Sequence, residues 1–149
     1  MPQLAFNTPI GPLALFEADG AIVAIDWGWL PENEDSPLLL KARDQLEEYF
    51  EGRRTTFDLP LAPHGTPFQR RVWNALSEIP FGATLTYGQL ADRLGTAPRA
   101  LGGACGRNPI PVVIPCHRVL AAGGGLGGYS GIDGIETKEF LLRLEGMRP

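Results

Sequence analysis

The chain has 149 residues, 44% of them hydrophobic, and a formal net charge of -4 from 13 basic and 17 acidic side chains. That length holds one substantial core or two small layered units, and no apolar run approaches the roughly 20 residues of a membrane-spanning helix. Two cysteines, Cys105 and Cys116, are too few for the disulfide framework of a small secreted domain. No Arg-flanked apolar leader opens the sequence at MPQLAFNTPIG, so a cytoplasmic protein with free thiols is expected.

The front of the chain predicts a β-rich unit carrying one helix. Leu13 to Phe16 and Ala21 to Trp27 are strand-like runs joined at Asp19-Gly20, a pair suited to a tight hairpin turn. In SPLLLKARDQLEEYFEGRR, Ser36 can cap a helix and Pro37 fits its first position. Leu39, Ala42, Leu46, Tyr49 and Phe50 recur near helical spacing, and Gly52 ends the pattern. TTFDLPL predicts a returning strand, and APHG, rich in Pro and Gly, marks a boundary between units 1–63 and 64–149.

The back predicts a mainly helical unit. In TPFQRRVWNALSEIP, Thr66 caps, Pro67 comes first and Gln69 closes a capping box, while Phe68, Val72, Leu76 and Ile79 mark one buried face. TYGQLADRL repeats the device with Thr86 and Gln89, turning Leu90, Ala91 and Leu94 inward. After GTAP, RALGGACGRN predicts a short helix with Gly102 and Gly103 in its middle, each costing about 1 kcal/mol relative to Ala. Adjacent helical glycines admit either a neighbouring helix or a nucleic-acid backbone. Helix, short break and helix, with Arg99 opening the second, is the outline of a helix-turn-helix unit.

Charge is unevenly distributed. Residues 1–63 carry 4 basic against 11 acidic side chains (-7), and residues 64–149 carry 9 against 6 (+3). On charge alone, a random split of solvated charge is the favoured reading over a nucleic-acid partner.

NPIPVVIPCHRV alternates prolines with β-branched residues, which predicts a short buried extended piece from Val112 to Ile114 delivering Cys116 to a turn. A reactive cysteine needs its thiolate stabilised, and His117 and Arg118 stand next in line. Neighbours in a strand point to opposite faces, so Cys116 and His117 can share a proton only across a turn or through water. Taken alone, the pair is equally readable as an inert buried cysteine beside a histidine. No CxxC or HxxxH spacing indicates a metal site.

Roughly residues 65 to 146 resemble the O6-alkylguanine-DNA alkyltransferases, also called methylated-DNA-protein-cysteine methyltransferases. The resemblance rests on IPCHRV and, in order, on FQRRVWNAL, IPFGATLTYGQLA, RALGGACGRNPIPVVIPCHRV, GGLGGYSG and TKEFLLRLEG. It implies an α/β N-terminal unit, RNase H-like with strands plus one helix, followed by a mainly α winged-helix/helix-turn-helix domain. It also implies a DNA repair transferase that flips O6-alkylguanine out of duplex DNA and takes the alkyl group irreversibly onto its own cysteine. By that resemblance Cys116 is the acceptor, His117 relays its proton through water toward Glu145, and Asn108 braces the acceptor turn. Tyr87 crowds the target phosphate and donates toward the base, and Arg99 fills the gap in the stack. Ala100, Gly102 and Gly103 enter the minor groove, while Tyr129, Ser130 and Pro111 line the guanine pocket.

The family reading implies no cofactor, a monomer, and double-stranded DNA as partner. The front contains no cysteine, so the structural zinc of some relatives is expected to be absent. Two departures stand out: the interval from Tyr87 to Arg99 is slightly short, and GIDGIETK expands the segment after Ser130. A silent lesion binder and a regulatory helix-turn-helix module are the rival readings. Both differ from the alkyltransferase in transferring nothing.

Overall fold

The computed structural model describes residues 1–127 and 134–147, and its contacts divide the chain into units Met1–His64 and Gly65–Pro149. In the first, β1 (Gln3–Phe6), β2 (Leu13–Ala18) and β3 (Ala21–Trp27) form an antiparallel meander in that order. Asp19 and Gly20 take left-handed angles, φ 50° and 77°, as a two-residue hairpin with the right-handed strand twist requires. Helix α1 (Pro37–Phe50) packs on the sheet, burying Leu39, Ala42, Leu46 and Tyr49 against Leu13, Leu15, Ile22 and Ile25. Ser36 caps it by accepting from the Leu39 amide at 3.1 Å, and its hydroxyl donates to Glu17 at the end of β2. β1 went unpredicted.

The expected strand in TTFDLPL does not form. Residue Leu61 instead makes one parallel bridge to Ile22, with the Ile22 amide donating to Pro60 at 2.8 Å and the Ala62 amide to Ile22 at 2.9 Å. Pro60 and Pro63 lack amide donors on either side, so the ladder cannot extend. Buried Gln45 fixes the same segment, donating to the Asp58 carbonyl at 3.1 Å and accepting from its amide at 2.9 Å.

In the second unit both predicted capping boxes form, Thr66 with Gln69 on α2 (Pro67–Ser77) and Thr86 with Gln89 on α3 (Tyr87–Leu94). Strand β4 (Leu85–Thr86) leads into α3. Gly95, at φ 65°, ends α3 in the left-handed conformation that only glycine adopts cheaply, and the chain turns into α4 (Pro98–Gly106). α4 packs on both α2 and α3. β5 (Val119–Leu120) pairs in parallel with β4, and α5 (Ile135–Leu144) packs on the turn just before β5. Trp73, absent from the predicted face, is among the largest buried side chains and donates its indole N–H to the Ala104 carbonyl at 2.9 Å. That bond locks α2 to the end of α4.

Gly65 makes this possible. A Cβ there would sit 2.4 Å from the Trp73 ring and 2.7 Å from the Gln69 side-chain oxygen. Neither the buried indole nor the capping box can yield freely, and overpacking of this kind costs about 1 to 3 kcal/mol. Gly65→Ala is therefore expected to lower the stability of the second unit by that amount in urea titration, and an unchanged midpoint would contradict the packing described.

Candidate active site

Asn108 shapes the segment leading to Cys116. Its Nδ2 donates to the Ile114 carbonyl at 2.8 Å, its Oδ1 accepts from the Ile110 amide at 2.9 Å, and the Ile114 amide donates to the Ile110 carbonyl at 2.9 Å. These bonds close residues 108–114 into a tight loop, not the extended piece that the sequence predicts. Val112 at its tip takes φ 73°, a left-handed angle that costs a β-branched residue on the order of 1 to 3 kcal/mol. Burial of Val112 and Val113, with the Asn108 bonds, overcomes that cost. Pro111, expected at the pocket, is buried in this loop.

The loop delivers Cys116 into a single 3-10 turn, Cys116–Arg118, whose three side chains are all buried. The Cys116 amide donates to the Ile114 carbonyl at 2.8 Å, so the loop held by Asn108 also sets the thiol's backbone. Next to it, His117 is fully buried, with Nε2 2.7 Å from Oε2 of Glu145, the residue capping the C-terminus of α5. Arg118 closes on the same carboxylate with its planar fork, Nε to Oε1 at 2.7 Å and Nη2 to Oε2 at 3.1 Å, and its Nη1 donates to the Ile79 carbonyl at 2.6 Å. The sequence allowed Arg118 to support a thiolate. Its fork is instead committed to Glu145.

Burial drives the His117 pKa below its ordinary value, outweighing the opposite pull of Glu145, so the ring is neutral near pH 7. A neutral imidazole has one donor and one acceptor nitrogen. Nε2 faces a carboxylate, which only accepts, so Nε2 carries the hydrogen and Nδ1 the lone pair. Nδ1 is buried without a hydrogen-bond partner among the described residues. A base held in one tautomer thus stands immediately after the thiol in the chain.

Lys138 was not anticipated. It is fully buried on α5, donates from Nζ to the Val119 carbonyl at 2.6 Å, and lies 5.8 Å from the centroid of the Tyr87 ring. Burial lowers its pKa, and negative charge on Cys116 or Cys105 would raise it, which places its amine within electrostatic reach of both thiols. The signal for it was present. Lys138, Leu141, Leu142 and Glu145 stand at i, i+3, i+4 and i+7, one face of a helix.

Tyr87, first residue of α3, is partly buried, and that burial pushes its pKa up to about 12, so its phenol is a proton donor at neutral pH. Gly127, at φ 69°, runs close beside it; a Cβ there would lie 3.4 Å from the ring. Cys105 is buried on α4, and burial pushes its thiol up to about 12, which keeps it protonated. Arg99 and Ala100 are exposed near the start of α4. A Cβ at Gly102 or Gly103 would meet nothing within 4 Å, so helix packing does not account for these glycines. They leave a bare strip on the helix surface. Tyr129 and Ser130 lie outside the described residues. Among the described residues, no three His, Cys, Asp or Glu side chains gather as a metal site, and no helix is long and apolar enough to cross a membrane.

Comparison with known proteins agrees along the whole chain. Residues 4–63 match the ribonuclease-like domain, and residues 67–147 the DNA-binding domain, of 6-O-methylguanine DNA methyltransferase. The methylated-DNA–protein-cysteine methyltransferase of Methanosarcina acetivorans is 45% identical over 95% of this chain and 96% of its own. The constitutive enzyme of that name from Bacillus subtilis is 42% identical over 93% and 92%. The crystal structure of Mycobacterium tuberculosis OGT in complex with DNA is similar with a TM-score of 0.89 at 42% identity, covering 97% of this chain and 92% of that one.

The neutral state of His117 has a consequence for stability. Its folded pKa is depressed, so its contribution is complete above the unfolded value of about 6.5 and is lost as pH falls, when the unfolded chain binds a proton that the folded one refuses. Stability in urea is expected to fall from pH 7.5 to 5.5, and to fall less in His117→Gln. Equal losses in both proteins would assign the pH dependence to other groups.

Proposed function

The chain belongs to the 6-O-methylguanine DNA methyltransferases, proteins that repair DNA by moving an alkyl group to a protein cysteine, and on that premise we propose that Cys116 is the acceptor and works once per molecule. The observation that carries this reading is the buried base that follows the thiol in the chain: His117, neutral, with Nε2 on Glu145 and Nδ1 left as acceptor.

In this mechanism the Cys116 thiol gives its proton, through one water, to Nδ1 of His117. The imidazolium that forms keeps its Nε2 hydrogen on the Glu145 carboxylate, which offsets the new positive charge inside the protein. Lys138 adds a positive field that favours the thiolate. The sulfur attacks the O-alkyl carbon in line; the S–C bond forms, the C–O bond breaks, and the electron pair goes to guanine O6. Tyr87 donates a hydrogen bond toward the base as that charge develops. Nothing in the site can reverse a thioether, so the protein is spent.

The target oxygen lies inside the duplex, so the base is extruded at a cost of a few kcal/mol. Arg99, exposed at the start of α4, fills the space left in the stack, and Ala100, Gly102 and Gly103 let the helix lie close in the minor groove. Pro111, Tyr129 and Ser130 are assigned to the guanine pocket by resemblance alone. The protein acts as a monomer in the cytoplasm, where its thiols stay reduced.

Incubation with duplex DNA containing O6-methylguanine, followed by intact-mass measurement, is expected to show one added methyl per molecule, mapped to the Cys116 peptide. Cys116→Ser is expected to abolish uptake while DNA binding persists, because a hydroxyl is a far weaker nucleophile. Cys105→Ser keeps uptake. A methyl on Cys105, or transfer by Cys116→Ser, would overturn the assignment. Gly103→Ala gives a separate check: relief of a helical glycine stabilises by up to about 1 kcal/mol, yet duplex binding is expected to weaken. If binding holds, α4 does not approach the DNA through that strip.

A further inference from the structure

The exposed cations of the two units differ in their partners. Each basic side chain of the first unit faces a carboxylate: Lys41 on Asp58 at 3.6 Å, Arg43 on Asp44 at 3.2 Å, Arg54 on Glu48 at 2.9 Å, and Arg53 on Glu51 and Glu48. In the second unit Arg70, Arg71, Arg93, Arg99 and Arg107 have no carboxylate in ion-pair reach among the described residues. Arg99 has a role in the reading above. Arg70 and Arg71 have none.

These two arginines line a groove of about 500 Å³ on the outer side of α2, together with Asn74, Glu78 and Leu94. Positions 70, 71, 74 and 78 follow helical periodicity along one face, so the side chains are neighbours. Arg71 donates from Nη2 to the carbonyl of Leu94, the last residue of α3, where the negative end of the helix dipole favours a cation. That bond pins the guanidinium beside the turn leading to α4 and leaves other N–H donors of its fork. Arg70 and Asn74 add donors next to it. Glu78, one turn beyond Asn74, sets the far limit of the positive stretch.

We propose that this groove is a second site for the DNA backbone, in which Arg70, Arg71 and Asn74 hold phosphates flanking the lesion. The proposal rests on the alkyltransferase reading, which brings DNA to the neighbouring α4. Leu94 and Pro98 are four positions apart, so the groove edge lies at most about 14 Å from the start of α4. One DNA strand presents a phosphate every 3.4 Å or so along the axis, so the groove is within about four phosphates of the residues that enter the duplex. Phosphate suits the site because a guanidinium fork binds it in two places and the groove offers no base-reading pocket.

The test is the salt dependence of binding to undamaged duplex. Each phosphate contact contributes about 0.9 to the slope of log K against log salt. Arg70→Gln is expected to lower the slope by about 1 and Arg70→Gln/Arg71→Gln by about 2, with methyl uptake from free O6-methylguanine unchanged. Duplexes lengthened on one side of the lesion should gain affinity for the wild type and not for the double variant. The Arg70 side chain makes no hydrogen bond among the described residues, so its single variant remains informative if the double variant unfolds. An unchanged slope in Arg70→Gln overturns the proposal and leaves the groove to another partner, such as an acidic protein. Loss of uptake from the free base equal to that from duplex also overturns it, since it would assign the arginines to the fold. A wild type that takes up no methyl from duplex refutes the alkyltransferase reading, whereas the groove is decided by comparing the variants with the wild type.

Discussion

The Glu145 carboxylate, fully enclosed at the end of α5, is the group around which the site is organised. A buried charge survives only if paired and hydrogen-bonded, and here one guanidinium fork and one imidazole N–H satisfy both oxygens. Because Arg118 supplies the balancing positive charge, His117 does not have to. The histidine can therefore stay neutral, with its tautomer set by the same oxygen. Removing one member of such a group typically costs about 3 to 5 kcal/mol, because the rest is left uncompensated. Stability and the proposed chemistry thus draw on the same three side chains. Through Ile79 the fork also reaches the second residue after α2, so the Cys116–Arg118 turn is tied at once to the segments following α2 and α5.

The loop before the thiol shows the complementary constraint. Val112 is held in a conformation that a free chain would leave, and it is held by the two ends of one asparagine side chain and by burial on both sides. A rigid loop costs less at the moment of reaction than one that must be ordered first. Asn108 follows directly from α4, whose end is fastened to α2 by the Trp73 bond. The scaffold under the thiol is continuous from the capping box at Thr66 to the 3-10 turn.

Much of this was legible in the residues. Ser36, Thr66 and Thr86 each mark a helix start, and Asp19-Gly20 marks the hairpin, because caps and tight turns are local events whose chemistry needs a particular side chain. β1 was not legible: four residues ending at Phe6 show no alternation, and only pairing with β2 makes them a strand. The strand expected before Ala62 failed on its prolines. Val112 carries no mark of its left-handed angle, since the cause lies four residues earlier in Asn108 and in packing. Arg118 reads alone as a support for the thiol and Glu145 as a solvated helix charge, and their pairing spans 27 residues. The resemblance joins Glu145 to His117, and nothing in the sequence joins it to Arg118. Lys138 was legible in principle, as a charge on an apolar face, yet a helix lysine is ordinarily solvated.

On the function proposed above, the bare strip on α4 also limits what the protein can know about its substrate. Sequence is read by donors and acceptors that reach base edges, and glycine has no side chain to offer. In that role Gly102 and Gly103 give up information in exchange for closeness. On a long chromosome no address would draw such a protein to a particular gene, and every guanine would be tried in turn by the ease with which it leaves its stack. The time to find one lesion would then scale with the length of undamaged DNA shared among the copies present. Repair capacity in a cell becomes a matter of copy number, with searching and consumption drawing on the same pool of molecules.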